Sequence, residues 1–380
     1  MNKVKKLLAF SFCLFSFALF SACGSKNQTE KKVQQDSAPA KKIEASLVFN
    51  NLTLEQADEQ GRPLWKVNAK RATYSQDKKK ATIENPTGDL FQDGKLVLRV
   101  SATQGEVYED SKKVFLKGQV VATETRNGLV LQGGELEWRP KEDRLIVRNN
   151  ITGRHPQLQA SAKEGQYVSR TQQMELLGQI VATSKDPALR MKTEHLFWNI
   201  PQQKVIGDRR MYIDRYRGNT VTDQVVGERS EVNLKTKTAT LKQNVQLTSI
   251  TPPIQITSNS VNWNLNTQVV VSDQPVSIWH RQEQVIVTAS KGQVYLQQNV
   301  ALLTGGAQGA ASRNQAKLKA NQVRWDIASQ QLQAQGNVIY QQVNPPLSLT
   351  GSKGLGRLQD QTFVVTGGSD GGRVTTEFIP

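Results

Sequence analysis

The sequence predicts an all-β protein: a sheet folded over on itself and built from stacked repeats, each about 31 residues long and holding two strands. Short alternating runs such as Leu96-Val97-Leu98-Arg99-Val100 and Ile254-Gln255-Ile256 recur from Leu47 onward, broken by Gly, Asn and Asp-Gly turns and without a helical period. Aligned, they place bulky or β-prone residues at Tyr74, Val107, Trp138, Tyr167, Trp198, Val232, Trp263, Val294 and Trp325, with Gly356 closing the ladder. Successive gaps are 33, 31, 29, 31, 34, 31, 31, 31 and 31 residues. Five positions before each rung stands a small residue: Ala69, Ala102, Gly133, Ala162, Thr193, Gly227, Ser258, Ala289, Ala320 or Gly351.

Taken in order along the chain, the first element is an address. Met1 to Lys6 is basic, Leu7 to Ala22 is apolar or small, and small residues surround Cys23, so residues 1–22 read as a secretory signal peptide. The ending Phe20-Ser21-Ala22-Cys23-Gly24-Ser25 resembles a bacterial lipobox with Phe20 in place of the usual Leu; the resemblance implies that Cys23 is lipidated and becomes the mature N-terminus. The alternative is an uncleaved signal anchor, although the apolar run covers only ~24 Å of a ~30 Å bilayer core. Either way the body is expected in the periplasm, anchored at a membrane surface. Residues 23–45, rich in Lys, Gln, Ser, Ala and Glu, read as a flexible tether. The folded body then divides into halves at 46–215 and 216–380, the boundary lying in the long gap between Trp198 and Val232 that contains Asp214-Arg215-Tyr216-Arg217-Gly218-Asn219.

Composition narrows the function classes. The 380 residues carry 49 Lys+Arg and 33 Asp+Glu, a net charge of +16, and losing Lys3, Lys5 and Lys6 with the leader leaves 16 − 3 = +13. With 37% hydrophobic and 22% charged residues the chain is too apolar for disorder, and beyond the leader no run reaches the ~20 apolar residues of a membrane helix. Both cysteines, Cys13 and Cys23, fall in the leader region, which excludes a disulfide framework or a cysteine metal site in the body.

Within each repeat the apolar positions change parity at the small residue: Ile254 and Ile256 precede Ser258, and Val261, Trp263 and Leu265 follow it. Side chains alternate faces with a period of two, so the switch requires a bulge or bend, and a small residue suits such a corner. Two positions before the rungs, large and small residues alternate as Gly105, Leu136, Gly165, Leu196, Ser230, Val261, Gly292, Val323 and Gly354, and Trp occupies a rung only where this neighbour is large. Layers two repeats apart therefore either interlock or leave a recess between tryptophans.

The opening repeat, Gly61-Arg62-Pro63-Leu64-Trp65 through Ala69-Lys70-Arg71-Ala72 to Ile83-Glu84-Asn85-Pro86, resembles the lipopolysaccharide-export periplasmic protein C (LptC) family. The next unit, Ala102-x-x-Gly105-x-Val107-Tyr108 with Val114-Phe115-Leu116-Lys117-Gly118-Gln119-Val120, is similar to the repeat shared with the related bridge proteins (LptA/OstA-like). The resemblance implies an elongated β-jellyroll (β-taco) open along one side, whose apolar groove shelters the acyl chains of lipopolysaccharide or a related glycolipid. It implies an inner-membrane ABC transporter as donor, and an LptA-like or outer-membrane LptD-like jellyroll as acceptor, joined edge to edge by strand pairing. Two features depart from the family: a lipoprotein-like anchor, and about twice the usual number of repeats. At ~4.8 Å per strand the repeats would stack to ~50 Å if their strands were shared between two sheets, or to ~100 Å as one bent layer.

The groove candidates are Trp65, Val107, Trp138, Tyr167, Trp198, Val232, Trp263, Val294 and Trp325; plain core is the competing reading of the same residues. Basic clusters at Lys78-Lys79-Lys80, Lys112-Lys113, Arg209-Arg210 and Arg215/Arg217 are candidates to meet phosphates, or simply solvated turns. Leu47 and Phe49 at one end, and Phe363 and Val365 at the other, mark the edge strands expected to pair with partners. His155, His195 and His280 fall at unlike positions in three repeats, giving no metal spacing or triad, and no cofactor, metal or catalytic residue is expected. Gly305-Gly306-Ala307-Gln308-Gly309 and Gly367-Gly368-Ser369-Asp370-Gly371-Gly372 have no following helix and read as loops. The export leader and the inward aromatics argue against nucleic acid. A structural envelope scaffold with a solid core is the second functional reading.

Overall fold

In the computed structural model, which describes residues 47–108, 112–313, 315–360, 362–367 and 375–377, the chain forms a 28-stranded antiparallel sheet, with one short helical turn at Pro140–Glu142. The expected leader, Cys23 and the tether lie outside the described residues. Residues 45–380 form one compact unit holding every described strand and the whole apolar core, so this segment supplies its own pairing and packing.

The long strands serve both folded halves of this sheet, and pairs of short strands take their place elsewhere. Val114–Glu124 pairs through its first residues with Gln104–Tyr108 and through its last with Lys95–Ser101, changing partner where the register slips between Lys117 and Val120. The sheet thus folds along a continuous corner. Strands running one way turn it at the predicted small residues, as at Gly133, Ala162 and Ser258. Strands running back turn it at Gly118-Gln119, Asn149-Asn150, Gly178-Gln179, Gln243-Asn244, Gly305-Gly306 and Gly336-Asn337, all left-handed. Gly adopts that conformation without a Cβ clash and Asn tolerates it, so these pairs form the other half of the corner. The glycine run at 305–309 is therefore not a loop: it lies within the strand Val300–Ala311, where Gly305 (φ 79°) and Gly306 (φ 86°) bend the chain without ending its pairing. The second run, beyond Gly367, lies outside the described residues.

The rungs form a single cross-strand row. Val107 pairs with Val114, Val114 with Trp138, Trp138 with Leu145 and Leu145 with Tyr167; the row continues through Trp198, Val232, Trp263, Val294 and Trp325 to Gly356 and Phe363. Because each layer is either one bent strand or two short ones, the folded sheet advances by one strand spacing per layer, and ~4.8 Å for each strand of the rung row gives the longer expectation, ~100 Å. The large-small alternation interlocks: a Cβ on Gly165 would lie 2.8 Å from Ile151 Cδ1, and one on Gly105 would lie 2.8 Å from the Phe115 carbonyl. The expected boundary at 215/216 falls inside a hairpin, Met211–Arg217 with Thr220–Gly227, turned at Gly218.

Candidate functional site

The interior between the two folded halves of the sheet is the candidate site. All nine groove candidates point into it and are buried, from Val107 at 6% exposed to Trp138, Tyr167, Val232, Trp263 and Trp325 at 0%. Eight of them share the rung row; Trp65 stands on the opposite wall, its Nε1 donating to the Lys112 carbonyl at 3.0 Å. One contiguous apolar cluster runs from Trp65 to Val365. The indole nitrogens of Trp138, Trp198, Trp263 and Trp325 are buried with no hydrogen-bond partner. Each such orphaned donor costs about 1–3 kcal/mol. Beside them, burial pushes the Tyr167 hydroxyl up to about 12.

Opposite the corner, the turns of the two halves form the lips of a mouth, and polar groups bridge it. Near the N-terminal end Arg170 Nη1 donates to Asp93 at 3.0 Å and Arg126 Nη2 to the Ser169 carbonyl at 2.6 Å. Asn127 donates to Gln172 at 2.9 Å, and Lys237 pairs with Asp186 at 3.0 Å. Arg215 donates to Gln268 at 3.1 Å, and Gln330 to Glu283 at 2.8 Å. Turns along one lip also chain to one another: the amides of Ile200, Leu234, Leu265, Leu296, Ile327 and Leu358 each donate to a carbonyl one repeat back, which tucks their apolar side chains beneath the rungs. Past Gln330 the interior widens into an apolar cavity of about 60 Å³ under the stacked rings of Tyr340 and Phe363, with Arg313 and Arg357 at its rim. That space holds about two waters.

Three mouth groups sit against rung tryptophans. His155 meets Trp198 edge-on at 5.1 Å, the Arg215 guanidinium lies 5.9 Å from the Trp263 ring centre, and His280 lies 5.9 Å from Trp325. His155 and His280 therefore occupy comparable places in space, which corrects the expectation that their positions are unlike: each stands 17 residues past a rung tryptophan, Trp138 or Trp263. Burial lowers both imidazoles below their usual range. His195 faces outward, between Glu175 and Asp208 at 2.8 Å each. Among the described residues Arg215 is the most deeply placed Lys or Arg: Asp223, itself 2% exposed, accepts its Nε at 2.7 Å and the Thr222 hydroxyl at 2.8 Å.

The basic clusters are largely engaged with protein partners. Lys80 pairs with Glu106 at 2.9 Å, Lys113 with Glu137 at 3.7 Å and Arg210 with Glu228 at 3.3 Å, while Lys112 Nζ donates to the Ala57 carbonyl at 3.3 Å. Lys78, Lys79 and Arg209 are exposed on turns, and Arg217 is exposed at the end of the strand Met211–Arg217. At the ends of the stack, Val48–Ala57 pairs only with Pro63–Tyr74, and Thr362–Thr366 only with Leu347–Arg357, among the described residues. Leu47 and Phe49 are exposed at 47% and 46%, whereas Val365 is buried and Phe363 turns inward onto Tyr340. The mouth bridges escaped sequence reasoning because Asp93, Arg126, Gln268 and Glu283 look like ordinary turn residues. The signal for them is their place at strand ends whose inward neighbours are apolar. No group of three or more potential metal ligands occurs among the described residues, and no helix there is long and apolar enough to cross a membrane.

Comparison of the whole sequence with curated proteins gives no match. The profile of the family described as lipopolysaccharide-assembly, LptC-related matches three times in succession, at residues 13–145, 144–250 and 212–312. The matches overlap and together run through most of the chain, as a lengthened stack of the family's repeat would require. On that match and this fold, the chain belongs to the LptC-related lipopolysaccharide-assembly family.

Proposed function

We propose that the protein carries the acyl chains of lipopolysaccharide, or of a related glycolipid, along its interior. The cargo enters from an inner-membrane ABC transporter at the Val48–Ala57 end and leaves at the Thr362–Thr366 end to a further jellyroll paired there by its edge strand. Cys23 would hold the chain to the membrane through a lipid. The observation that carries the reading is the row of four buried indole N–H groups without acceptors. A solid core gains nothing from orphaned donors, whereas the ester and amide carbonyls of an acylated glucosamine lipid would satisfy them. Loading requires the lips to part, since about 60 Å³ is far too little for an acyl chain. The closed, bridged interior is also what favours the second reading, a structural scaffold without cargo.

Photocrosslinking separates the two. With a photoreactive residue replacing Trp138, Trp198, Trp263 or Trp325 in cells, the transport reading expects lipopolysaccharide adducts at the rungs and none at Lys79 on an exposed turn. A folded protein without adducts at any of the four rungs would leave the scaffold standing.

A further inference from the structure

The sixth tryptophan stands apart from the other five, all of which are buried: Trp279 is 42% exposed on the outer face of the sheet. Cross-strand register sets it beside Ile286, 41% exposed, then Ala310, then Lys317; in the adjoining row Lys319 lies opposite Ile339, 38% exposed. The small side chain at Ala310 leaves a shallow trough of about 560 Å³ between the apolar and the basic members. Arg281 lies 5.8 Å from the Trp279 ring centre. Lys317 and Lys319 are exposed, and neither forms an ion pair among the described residues. The other polar residues lining the trough, Thr288, Gln308 and Gln341, are uncharged, so Lys317 and Lys319 face solvent from a trough whose lining holds no carboxylate, with Arg281 beyond its edge on Trp279.

We propose that this face docks on the surface of an anionic lipid bilayer. An indole lodges at headgroup depth, Ile286 and Ile339 supply apolar area beneath it, and Arg281, Lys317 and Lys319 match anionic headgroups. A sugar polymer would use the indole but gains little from two isoleucines. Docking lays the last repeats along the bilayer. It also brings the cavity rim close to the lipid, because Trp279 directly precedes His280, whose side chain turns inward at the lip. The surface and its test do not depend on what the interior carries.

The test uses residues 45–380, which fold around their own core and contain no cysteine. Sedimentation with mixed phosphatidylglycerol and phosphatidylcholine vesicles should retain this segment, and pure phosphatidylcholine should not. Lys317→Gln and Lys319→Gln should each weaken retention about fivefold, and added salt should weaken it further. A polarity-sensitive fluorophore on Trp279→Cys should shift to the blue on the anionic vesicles, while the same label on Gln333→Cys, on the other outer face, should not. Retention unchanged by the lysine variants, or equal shifts at both labels, would overturn the proposal. So would retention on purified cell-wall glycan in place of vesicles.

Discussion

Replacing Asp223 with Ala tests whether a desolvated ion pair fixes Arg215, the residue that bridges the mouth to Gln268. In the native protein Asp223 accepts from Arg215 and Thr222 and is 2% exposed, while the Arg215 side chain is 10% exposed. Removing the carboxylate leaves a guanidinium with only the Gln268 amide oxygen and the face of Trp263 for company. Two unit charges about 4 Å apart attract by roughly 4 kcal/mol at an effective dielectric constant near 20, and stranding one partner of a buried pair costs about 3–5 kcal/mol. We expect a loss near the middle of that range, which at ~2 °C per kcal/mol lowers the melting midpoint by roughly 6–10 °C. The assay is thermal and urea unfolding of residues 45–380, with hydrogen exchange on the hairpin Met211–Arg217/Thr220–Gly227 to locate the weakening. Replacing both partners, Arg215→Met with Asp223→Leu, should recover most of the loss, because no buried charge then remains unpaired. If Asp223→Ala melted within a degree or two of the native protein, or the double variant were as damaged as the single, the pair would be solvated and the reasoning wrong.

Further outcomes follow from the same geometry. Trp325→Phe removes an indole donor that has no acceptor but leaves part of a fully buried ring's space empty, so relief of about 1–3 kcal/mol and a cavity cost of about 1–2 kcal/mol should nearly cancel in urea titrations, while cargo crosslinking through neighbouring rungs falls; a loss above about 3 kcal/mol would mean that the donor is satisfied after all. Gly165→Val should destabilise by about 1–3 kcal/mol in urea titrations, since its Cβ alone would crowd Ile151 and Leu176, and a neutral result would argue against interlocked layers. Burial lowers His155 and His280 below the ordinary 6.5, so the unfolded chain takes up protons first as pH falls. Their contribution is complete above about pH 7 and is lost progressively below about pH 6.5, ahead of the carboxylates. Melting midpoints should therefore fall between about pH 7 and pH 5.5, and His155→Gln with His280→Gln should flatten that slope; an unchanged slope would assign the titration elsewhere.

Much of the fold was legible before any coordinates. Rung spacing, the small residue five places earlier and the parity switch between them are local consequences of a period-two strand that bends, so they are written along the chain. The alternation of Gly105, Leu136, Gly165 and Leu196 was legible for the same reason, but it fitted an interlock and a recess equally, and only the close approach of the side chains around Gly105 and Gly165 shows the interlock. The return half of the corner was less visible. Asn149-Asn150 and Gly178-Gln179 look like turn residues, and only continuous pairing on either side shows that Gly305-Gly306 bends a strand rather than ending it.

What the sequence determined alone is the repeat, its register and which side chains face inward, because each depends on neighbours a few residues away. Only the tertiary structure shows how closely the two walls approach, and so that the interior behind that inward row is closed and bridged at its mouth. It also decided that Arg215, fixed by Asp223, reaches across the mouth to Gln268 beside Trp263, and that Trp279 alone of the tryptophans meets solvent. Those properties come from groups that burial brings together or leaves uncovered, and no spacing along one strand records them.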